Sequence, residues 1–282
     1  MALGINSVNS GVLQNLISSN INAGKTLASL SSGLRINKAS DDAAGLAIAN
    51  QLSAQEVSTQ QAIRNTSDGA SLVNISEGAL SSISDLLSRG RELAMQSSNG
   101  TLNDTQRKTL QGEYNQIKSE IDRISNVTNF NGKMLLDGSL SPNAPQKNEI
   151  QAGTGNNSQD KINLNVIPQT NTTTLGIAGT DIMSASNAQA ALTSIDSAMQ
   201  NISNTRGELG AIQNRLTSTI ANLEVTNENY VAARSQIQDQ DFGAAISNFS
   251  RDNLLLQTGY SVLAQSNRIN QQQIGSLLNF KI

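Results

Sequence analysis

The amino-acid sequence predicts a mainly α-helical protein in which long antiparallel helices form a coiled-coil rod, with a small β-hairpin region. The first observation is a ladder of apolar residues that recur every seven positions: Ile195, Ile202, Leu209, Leu216, Leu223, Tyr230 and Ile237. The second is composition, because aromatic residues make up only 2% of the chain. Leu, Ile, Val and Ala must therefore fill the core, which suits seams between helices better than a compact globule.

The ladder predicts one long helix over residues 188–237. A strict period of seven keeps one stripe buried only when helices wrap around a partner with a left-handed twist. The positions three residues after the rungs are small or semi-polar, namely Ala198, Thr205, Ile212, Thr219, Thr226 and Ala233. We therefore expect a narrow seam along a rod.

The first part of the chain predicts two further helices. The first carries apolar residues at helical spacing: Leu13, Leu16, Ile17, Ile21, Leu27, Leu30 and Leu34. We expect Gly33 to relax this helix, since glycine is a poor helix former. Ser40, Asp41 and Asp42 are typical of a new helix start, where carboxylates face unpaired backbone N–H groups. That second helix is expected to run to about Gly100.

A third helix should follow the turn at Asn99-Gly100 and run back antiparallel to its predecessor. Asp104 is the expected N-cap. The buried stripe of this helix is expected to contain Leu110, Tyr114, Ile117, Ile121, Ile124 and Val127.

Residues 129–187 differ in composition from the helical segments, since they hold all three prolines and many Gly and Asn residues. Residues 149–151 and 162–166 alternate in polarity on either side of a turn at 153–160, which predicts a hairpin. A final apolar pattern runs from Phe242 almost to the C-terminus and predicts a last helix.

Composition and charge disfavour several classes of function. The chain has no Cys and no His, so it lacks thiolate chemistry and the residue most used for acid–base catalysis and metal binding. Its formal charge of -3 and its 15% of charged residues suit a subunit that stacks against copies of itself and disfavour a nucleic-acid partner. No apolar run approaches the roughly 20 residues that span a bilayer, so we expect no membrane partner. The N-terminus lacks the features of a secretory signal peptide, so export would use another route.

The sequence motifs that could form chemical sites are better explained as helix starts and turns. Asp41 and Asp42 could form a metal or acid pair, but a capped helix start is the favoured interpretation. Residues 153–155, GTG, lack the Gly-Lys-Ser/Thr ending of a phosphate loop and indicate a turn. Residues 99–101 and 126–128 match the N-glycosylation pattern but carry no assigned function. We expect no enzyme activity and no catalytic, cofactor or metal site.

The apolar stripes of the two terminal helices should pair with each other only in part. Surface left uncovered would be available to neighbouring copies. A repeated contact whose rotation does not close generates a helical filament, so self-assembly is the favoured interpretation.

A set of short sequence blocks is spread over both halves of the chain. The N-terminal block is LSSGLRIN (residues 30–37) followed by SDDAAGLAIAN (40–50). Further blocks are RNTSDG (64–69), SEGAL (76–80), REL (91–93), EIDRIS (120–125), FNG (130–132), ELGAIQNRL (208–216) and SVLAQSN (261–267). Together they closely resemble the blocks of bacterial flagellins, and the resemblance covers both helical ends and most of the chain.

The resemblance implies an N-terminal filament-core helix at residues 1–40, a helical rod domain at 41–239 with its hairpin region at about 129–187, and a C-terminal filament-core helix at 240–282. The implied core-packing residues are Leu13, Leu16, Ile17, Leu27, Leu30, Leu254, Leu263, Leu277 and Leu278. The variable outer domains of many flagellins look absent, so the filament should be thin and smooth. Family members often have a proline after the block at 261–267; this chain has none there, and its last helix is expected to continue.

The resemblance further implies an extracellular structural subunit of the flagellar filament, used for motility. The implied partners are copies of the same chain, a flagellar export chaperone, the type III export apparatus, hook-associated and cap proteins, and a host Toll-like receptor; no cofactor is implied. A hook–filament junction protein is the close alternative. An enzyme is the more distant one, since some flagellins carry a metalloprotease, but that site needs His ligands.

An innate-receptor contact region maps by resemblance onto Arg89, Glu92, Leu93 and Glu113. Arg89, Leu93 and Gln96 are spaced to share one helical face, on which Leu93 would be an apolar anchor. Gly90 is expected to loosen that face. The alternative is that this face packs only against the next protofilament.

Overall fold

The computed structural model describes the backbone of residues 2–279 and the side chains of residues 10–276. Within that part of the chain, the helices are α1 (Ala2–Ser32), α2 (Ala43–Ser98), α3 (Asp104–Val127), α4 (Ala185–Gln238) and α5 (Phe242–Asn279). The strands are β1 (Asn129–Phe130), β2 (Lys133–Met134), β3 (Glu149–Gln151) and β4 (Lys161–Asn163). The predicted mainly α-helical class with a small hairpin region is confirmed.

Contacts divide the chain into two compact units. One contains Met1–Ala54 together with Asn229–Ile282, and the other contains Gln55–Glu228. The three-segment division at residues 40 and 240 concerns the assembled filament, and it stays a prediction.

In the second unit, α2 and α4 lie antiparallel and are tied by polar pairs along their length. Arg91 Nε lies 2.7 Å from Asp196 Oδ1, and Arg206 Nη2 lies 2.8 Å from Glu77 Oε1. Gln213 donates to Asn74 at 2.8 Å. Residue numbers decrease along α2 as they increase along α4 in these pairs, so the two helices are antiparallel, as expected for the predicted antiparallel rod.

The ladder is confirmed as one stripe of one helix. Ile195, Ile202, Leu209 and Leu216 are fully buried, and Ala198 is buried between them. The later rungs Leu223, Tyr230 and Ile237 are only half-buried. A sevenfold period predicts which residues share a stripe, but the degree of burial depends on what packs against it.

The N-terminus of α3 differs from the prediction by one residue. Asn103, not Asp104, is the N-cap: its side chain accepts from the Gln106 N–H at 2.9 Å, and Gln106 accepts from the Asn103 N–H at 3.0 Å. This reciprocal capping box satisfies two N–H groups, whereas Asp104 lies inside the first turn. The stripe also ends early, because Val127 is half exposed.

The predicted hairpin is confirmed as β3 paired with β4, with Ile150 opposite Ile162. Strand β4 ends at Asn163, although the Leu164 N–H still donates to the Asn148 carbonyl at 2.9 Å. The β1–β2 hairpin was not predicted. Its turn places Asn131 at φ 50° and Gly132 at φ 80°, the left-handed pair that an Asn-Gly dipeptide favours.

In the first unit, Gly33 ends α1 instead of relaxing it. With φ at 73°, Gly33 turns the chain out of the helix, so Leu34 leaves the helical stripe and bridges to Asp239. The Arg35 N–H donates to the Gln238 carbonyl at 2.7 Å, and the Gln240 N–H donates to the Gly33 carbonyl at 2.9 Å. The connector between α1 and α2, residues 33–42, is thereby joined to the end of α4 and to the link between α4 and α5. Helix α5 is unbroken through residues 267–273, as expected from the missing proline.

Candidate functional site

Helices α1 and α5 pack antiparallel through small residues. Leu16 is buried against Gly259, where an added Cβ would lie 2.8 Å from Leu16 Cδ2. Ala23 and Ala245 are also buried. The close approach therefore depends on residues with little or no side chain, and only a narrow strip of each helix is covered.

Four of the seven predicted core-packing residues whose side chains the structure describes lie outside that strip. Leu13, Ile17, Leu27 and Leu254 each expose more than half of their surface, while Leu16 is buried. Leu30 and Leu263 are half-buried. The side chains of Leu277 and Leu278 lie outside the described residues. Further exposed apolar residues on the pair are Ile21, Phe242, Ile246, Leu255, Tyr260, Val262, Ile269 and Ile274.

A groove of about 430 Å³ runs between the two helices. Its walls include Val12 and Leu16 of α1, and Leu255 and Val262 of α5. Large exposed apolar surfaces on soluble proteins mark sites of association. We call the exposed apolar residues of α1 and α5 the terminal-helix face.

A second candidate surface surrounds Arg89 on α2. Its guanidinium bridges two carboxylates: Nη1 lies 2.9 Å from Glu92 Oε2, and Nη2 lies 2.8 Å from Glu113 Oε1 on α3. The hydrogen bonds that Arg89 donates to Glu92, and then to Glu113, raise the pKa of Arg89. The three side chains are largely exposed, so this arrangement presents a charged triad to solvent. The structure brings these three predicted residues together.

The exposed position predicted for Leu93 is wrong. Its side chain is 1% exposed and belongs to the core cluster between α2 and its neighbours. Gly90 also has a packing role instead of loosening the helix, because an added Cβ there would lie 3.4 Å from the Tyr114 ring. Spacing of four residues places Leu93 near Arg89 on the helix, but the packing of neighbouring segments decides which of the two is covered.

The two alternative chemical sites are structural features. Asp42 Oδ1 accepts from the Gly45 N–H at 2.8 Å and caps α2, as predicted. Asp41 instead accepts from the N–H groups of Asn37 and Lys38 in the preceding turn, at 3.2 and 2.9 Å. Among the residues that the structure describes, no group of three His, Cys, Asp or Glu residues could hold a metal ion. Across the same residues, no helix is apolar and long enough to cross a membrane.

The loop at 153–160 is a hairpin turn in which the Asp160 carboxylate occupies the space beside two glycines. An added Cβ at Gly153 or Gly155 would lie 2.2 or 2.4 Å from the Asp160 oxygens. Asp160 Oδ2 also accepts from the Asn157 N–H at 3.2 Å. The two glycines therefore make room for a side chain of the same turn.

Polar residues on α3 that the sequence analysis did not single out hold the loop before α4. Lys118 Nζ donates to the carbonyls of Thr180 and Ala178, at 2.9 and 3.3 Å. Asp122 accepts from the N–H and the hydroxyl of Thr172, at 2.8 and 2.9 Å. Burial lowers the pKa of Lys118. The spacing of four residues between Lys118 and Asp122 was a signal that both share one face.

Comparisons with known proteins cover most of the chain. Residues 5–141 match the model of the bacterial flagellin N-terminal helical region, and residues 192–278 match that of the C-terminal helical region. A flagellin of Halalkalibacterium halodurans is 41% identical over 251 residues, which cover 88% of this chain and 90% of that protein. A flagellin of Bacillus subtilis is 38% identical and covers 91% of this chain, and 93% of its own length is matched. The crystal structure of Bacillus cereus flagellin is 36% identical, with a TM-score of 0.48, over 57% of this chain and 88% of that one.

Proposed function

This chain belongs to the bacterial flagellin family, and we propose that the terminal-helix face is the surface through which it polymerises. The protein is a structural subunit that self-assembles into the extracellular flagellar filament, which serves motility. The exposure of the apolar side chains on α1 and α5 supports the proposal that these residues form the polymerisation contacts.

Covering this face with a neighbouring subunit contributes favourable free energy to association. Burying a fully exposed leucine is worth about 1.5–3 kcal/mol, so each half-exposed leucine contributes about 1 kcal/mol when a neighbour covers it. Leu13, Ile17, Leu27 and Leu254 lie in that class. Because every subunit in a filament has several neighbours, small gains at each contact accumulate along the polymer.

The test is a substitution that keeps the fold of the free chain. Leu254 is 63% exposed, so Leu254→Asp removes little packing within one molecule but places a charge where we expect a neighbour. We expect filaments to fail to form, as seen by electron microscopy and sedimentation, while circular dichroism of the free chain stays unchanged.

Asn248→Asp is the matched control. It adds the same charge to α5 at an exposed position without removing an apolar group. Normal filament yield from Leu254→Asp would remove Leu254 from the polymerisation surface.

We propose that the role of the chain is structural and not catalytic, since its relatives are structural proteins. The hook–filament junction protein is not favoured, because the relatives that match most of the chain are flagellins. Assembly of the purified protein into long filaments, instead of short rings, would support this choice.

The proposed partners before and during assembly are a flagellar export chaperone, the type III export apparatus, and the hook-associated and cap proteins. The terminal-helix face supports this proposal, because exposed apolar surface must be covered before polymerisation to avoid aggregation. Co-purification tests the chaperone: the wild-type chain should co-purify with it, and Leu254→Asp should not.

The charged triad of Arg89, Glu92 and Glu113 is the proposed contact for a host Toll-like receptor. Leu93 is not part of the proposed contact surface, since it is buried. We expect Arg89→Ala to weaken binding of the receptor ectodomain by at least about 1 kcal/mol in calorimetric titration, because Arg is a frequent hot-spot residue. Arg123→Ala is the control, as Arg123 is also exposed and paired three residues away, with Glu120 at 2.6 Å. If the two variants bind the receptor ectodomain with equal affinity, the triad is not the receptor contact. Packing against the next protofilament would then be its role.

A further inference from the structure

A groove of about 400 Å³ lies beside the end of α1 and the connector that leads to α2. Three of its lining side chains are cationic: Lys25 on α1, and Arg35 and Lys38 on the connector. Asn37 and Ser40 add polar groups to its wall. Three cationic side chains on one concave surface make the local electrostatic potential positive.

The carboxylate in the groove offsets only one of the three positive charges. Asp41 is the one acidic lining residue, and two backbone N–H groups already hold its Oδ2. Those N–H groups lower the pKa of Asp41, and the charges of Lys25 and Lys38 lower it further, so both ammonium groups lie near this carboxylate. Neither lysine forms a salt bridge within 4.0 Å among the described residues. The lining therefore keeps an excess of positive charge.

The donors of the groove are fixed to different degrees. One Arg35 Nη donates to the Ile237 carbonyl, which anchors the guanidinium while its other N–H groups remain available. The hydroxyls of Thr26 and Ser29 donate to carbonyls of α1, so they cannot also donate to a ligand. The available donors are therefore those of Lys25, Arg35, Lys38, Asn37 and Ser40.

We infer that this groove binds a free tetrahedral oxyanion with two negative charges, such as inorganic phosphate or sulfate. A dianion matches the excess positive charge, and its oxygens accept hydrogen bonds in several directions at once, as guanidinium and ammonium donors require. The anion bridges Lys25 on α1 to Arg35 and Lys38 on the connector. It thereby holds the connector against the helix and stabilises the unit that contains both chain ends.

Isothermal titration of the full-length free chain with sodium phosphate, at constant ionic strength set with sodium chloride, tests the site. Sodium sulfate should bind in the same range, and sodium acetate at least about fivefold more weakly, because it carries one charge. We expect Lys25→Gln and Lys38→Gln each to raise the dissociation constant for phosphate by about fivefold or more. Lys108→Gln removes an equally exposed lysine from α3 and should change it by less than about twofold.

The same variants are measured on assembled filaments by equilibrium dialysis with labelled phosphate. Phosphate affinity that depends on Lys25 and Lys38 in either form supports the site. The inference is overturned if Lys25→Gln and Lys38→Gln bind phosphate like the wild type in both forms, if Lys108→Gln weakens binding as much as they do, or if the wild type binds none. Filament formation is scored separately by electron microscopy, so this result does not depend on the proposed polymerisation surface.

Discussion

Arg107 provides the sharpest test of how the second unit is held together. Its side chain is buried, with 9% of the residue exposed, and it extends from the first turns of α3 to the end of α2. Nε donates to the Ser97 carbonyl at 2.9 Å, and Nη2 donates to the Asn99 carbonyl at 2.8 Å. These carbonyls lie at the C-terminal end of α2, where the helix leaves acceptors unpaired and the helix dipole favours a cation.

The perturbation is Arg107→Met, which keeps the apolar stem and removes the guanidinium. A hydrogen bond to a charged group contributes about 1.5–3 kcal/mol, and a buried carbonyl left without a donor costs about 1–3 kcal/mol. The Asn99 carbonyl retains the Leu102 N–H at 3.3 Å, whereas the Ser97 carbonyl loses its side-chain donor. We therefore expect a loss of about 2–4 kcal/mol in the free energy of unfolding. For a unit of this size, about 3 kcal/mol corresponds to a fall of about 6–12 °C in melting temperature.

The assay is urea unfolding of the free chain followed by circular dichroism, with the m-value checked for two-state behaviour. Arg107→Lys should lose about half as much, because one ammonium group keeps the charge but cannot span both carbonyls in the same way. Arg123→Met is the control: its exposed pair with Glu120 contributes at most about 1 kcal/mol. A loss for Arg107→Met within about 0.5 kcal/mol of that control would refute the capping role.

Three further results are expected. In urea unfolding, Leu216→Ala should lower the free energy of unfolding by about 3–5 kcal/mol and Leu223→Ala by about 1–2 kcal/mol. The difference is expected because Leu216 is fully buried and Leu223 only half-buried, and equal losses would contradict it. Hydrogen bonds from Asn187 and from the Met183 N–H lower the pKa of Asp181 from its ordinary value of 3.8. The ionised carboxylate therefore stabilises the folded chain above that pH, and this stabilisation is lost as the pH falls through the folded-state pKa. The urea midpoint of Asp181→Asn should therefore fall less between pH 7 and pH 3 than that of the wild type. Replacing Leu277 and Leu278 with Asp should block polymerisation without changing circular dichroism of the free chain; normal filament yield would exclude both from the filament core.

Helix α3 illustrates how far sequence reasoning reached and where it stopped. The stripe through Tyr114, Ile117 and Ile121 was predicted and is buried, because a 3.6-residue repeat is a local property of the chain. The N-cap was misplaced by one residue, since Asn103 and Asp104 are both good caps and only the reciprocal bond with Gln106 selects Asn103.

The residues of the candidate surfaces were also predicted only in part. Arg89, Glu92 and Glu113 were grouped from the sequence and meet in the structure. Leu93 was placed with them and is buried instead. The connector groove could not be predicted, because Lys25 and Lys38 line one groove only after Gly33 turns the chain out of α1.

The sequence by itself determined the helical class, the long helix under the ladder, the β3–β4 hairpin and the continuation of α5. Each depends on periodicity, turn residues or the absence of proline within a short stretch of chain. Only the tertiary structure decided that Leu93 faces the core, that Gly90 accommodates the Tyr114 ring, and that Arg107 caps the end of α2. The physical reason is that spacing along a helix defines which residues share a face, whereas burial and bonding on that face depend on the partner that packs against it.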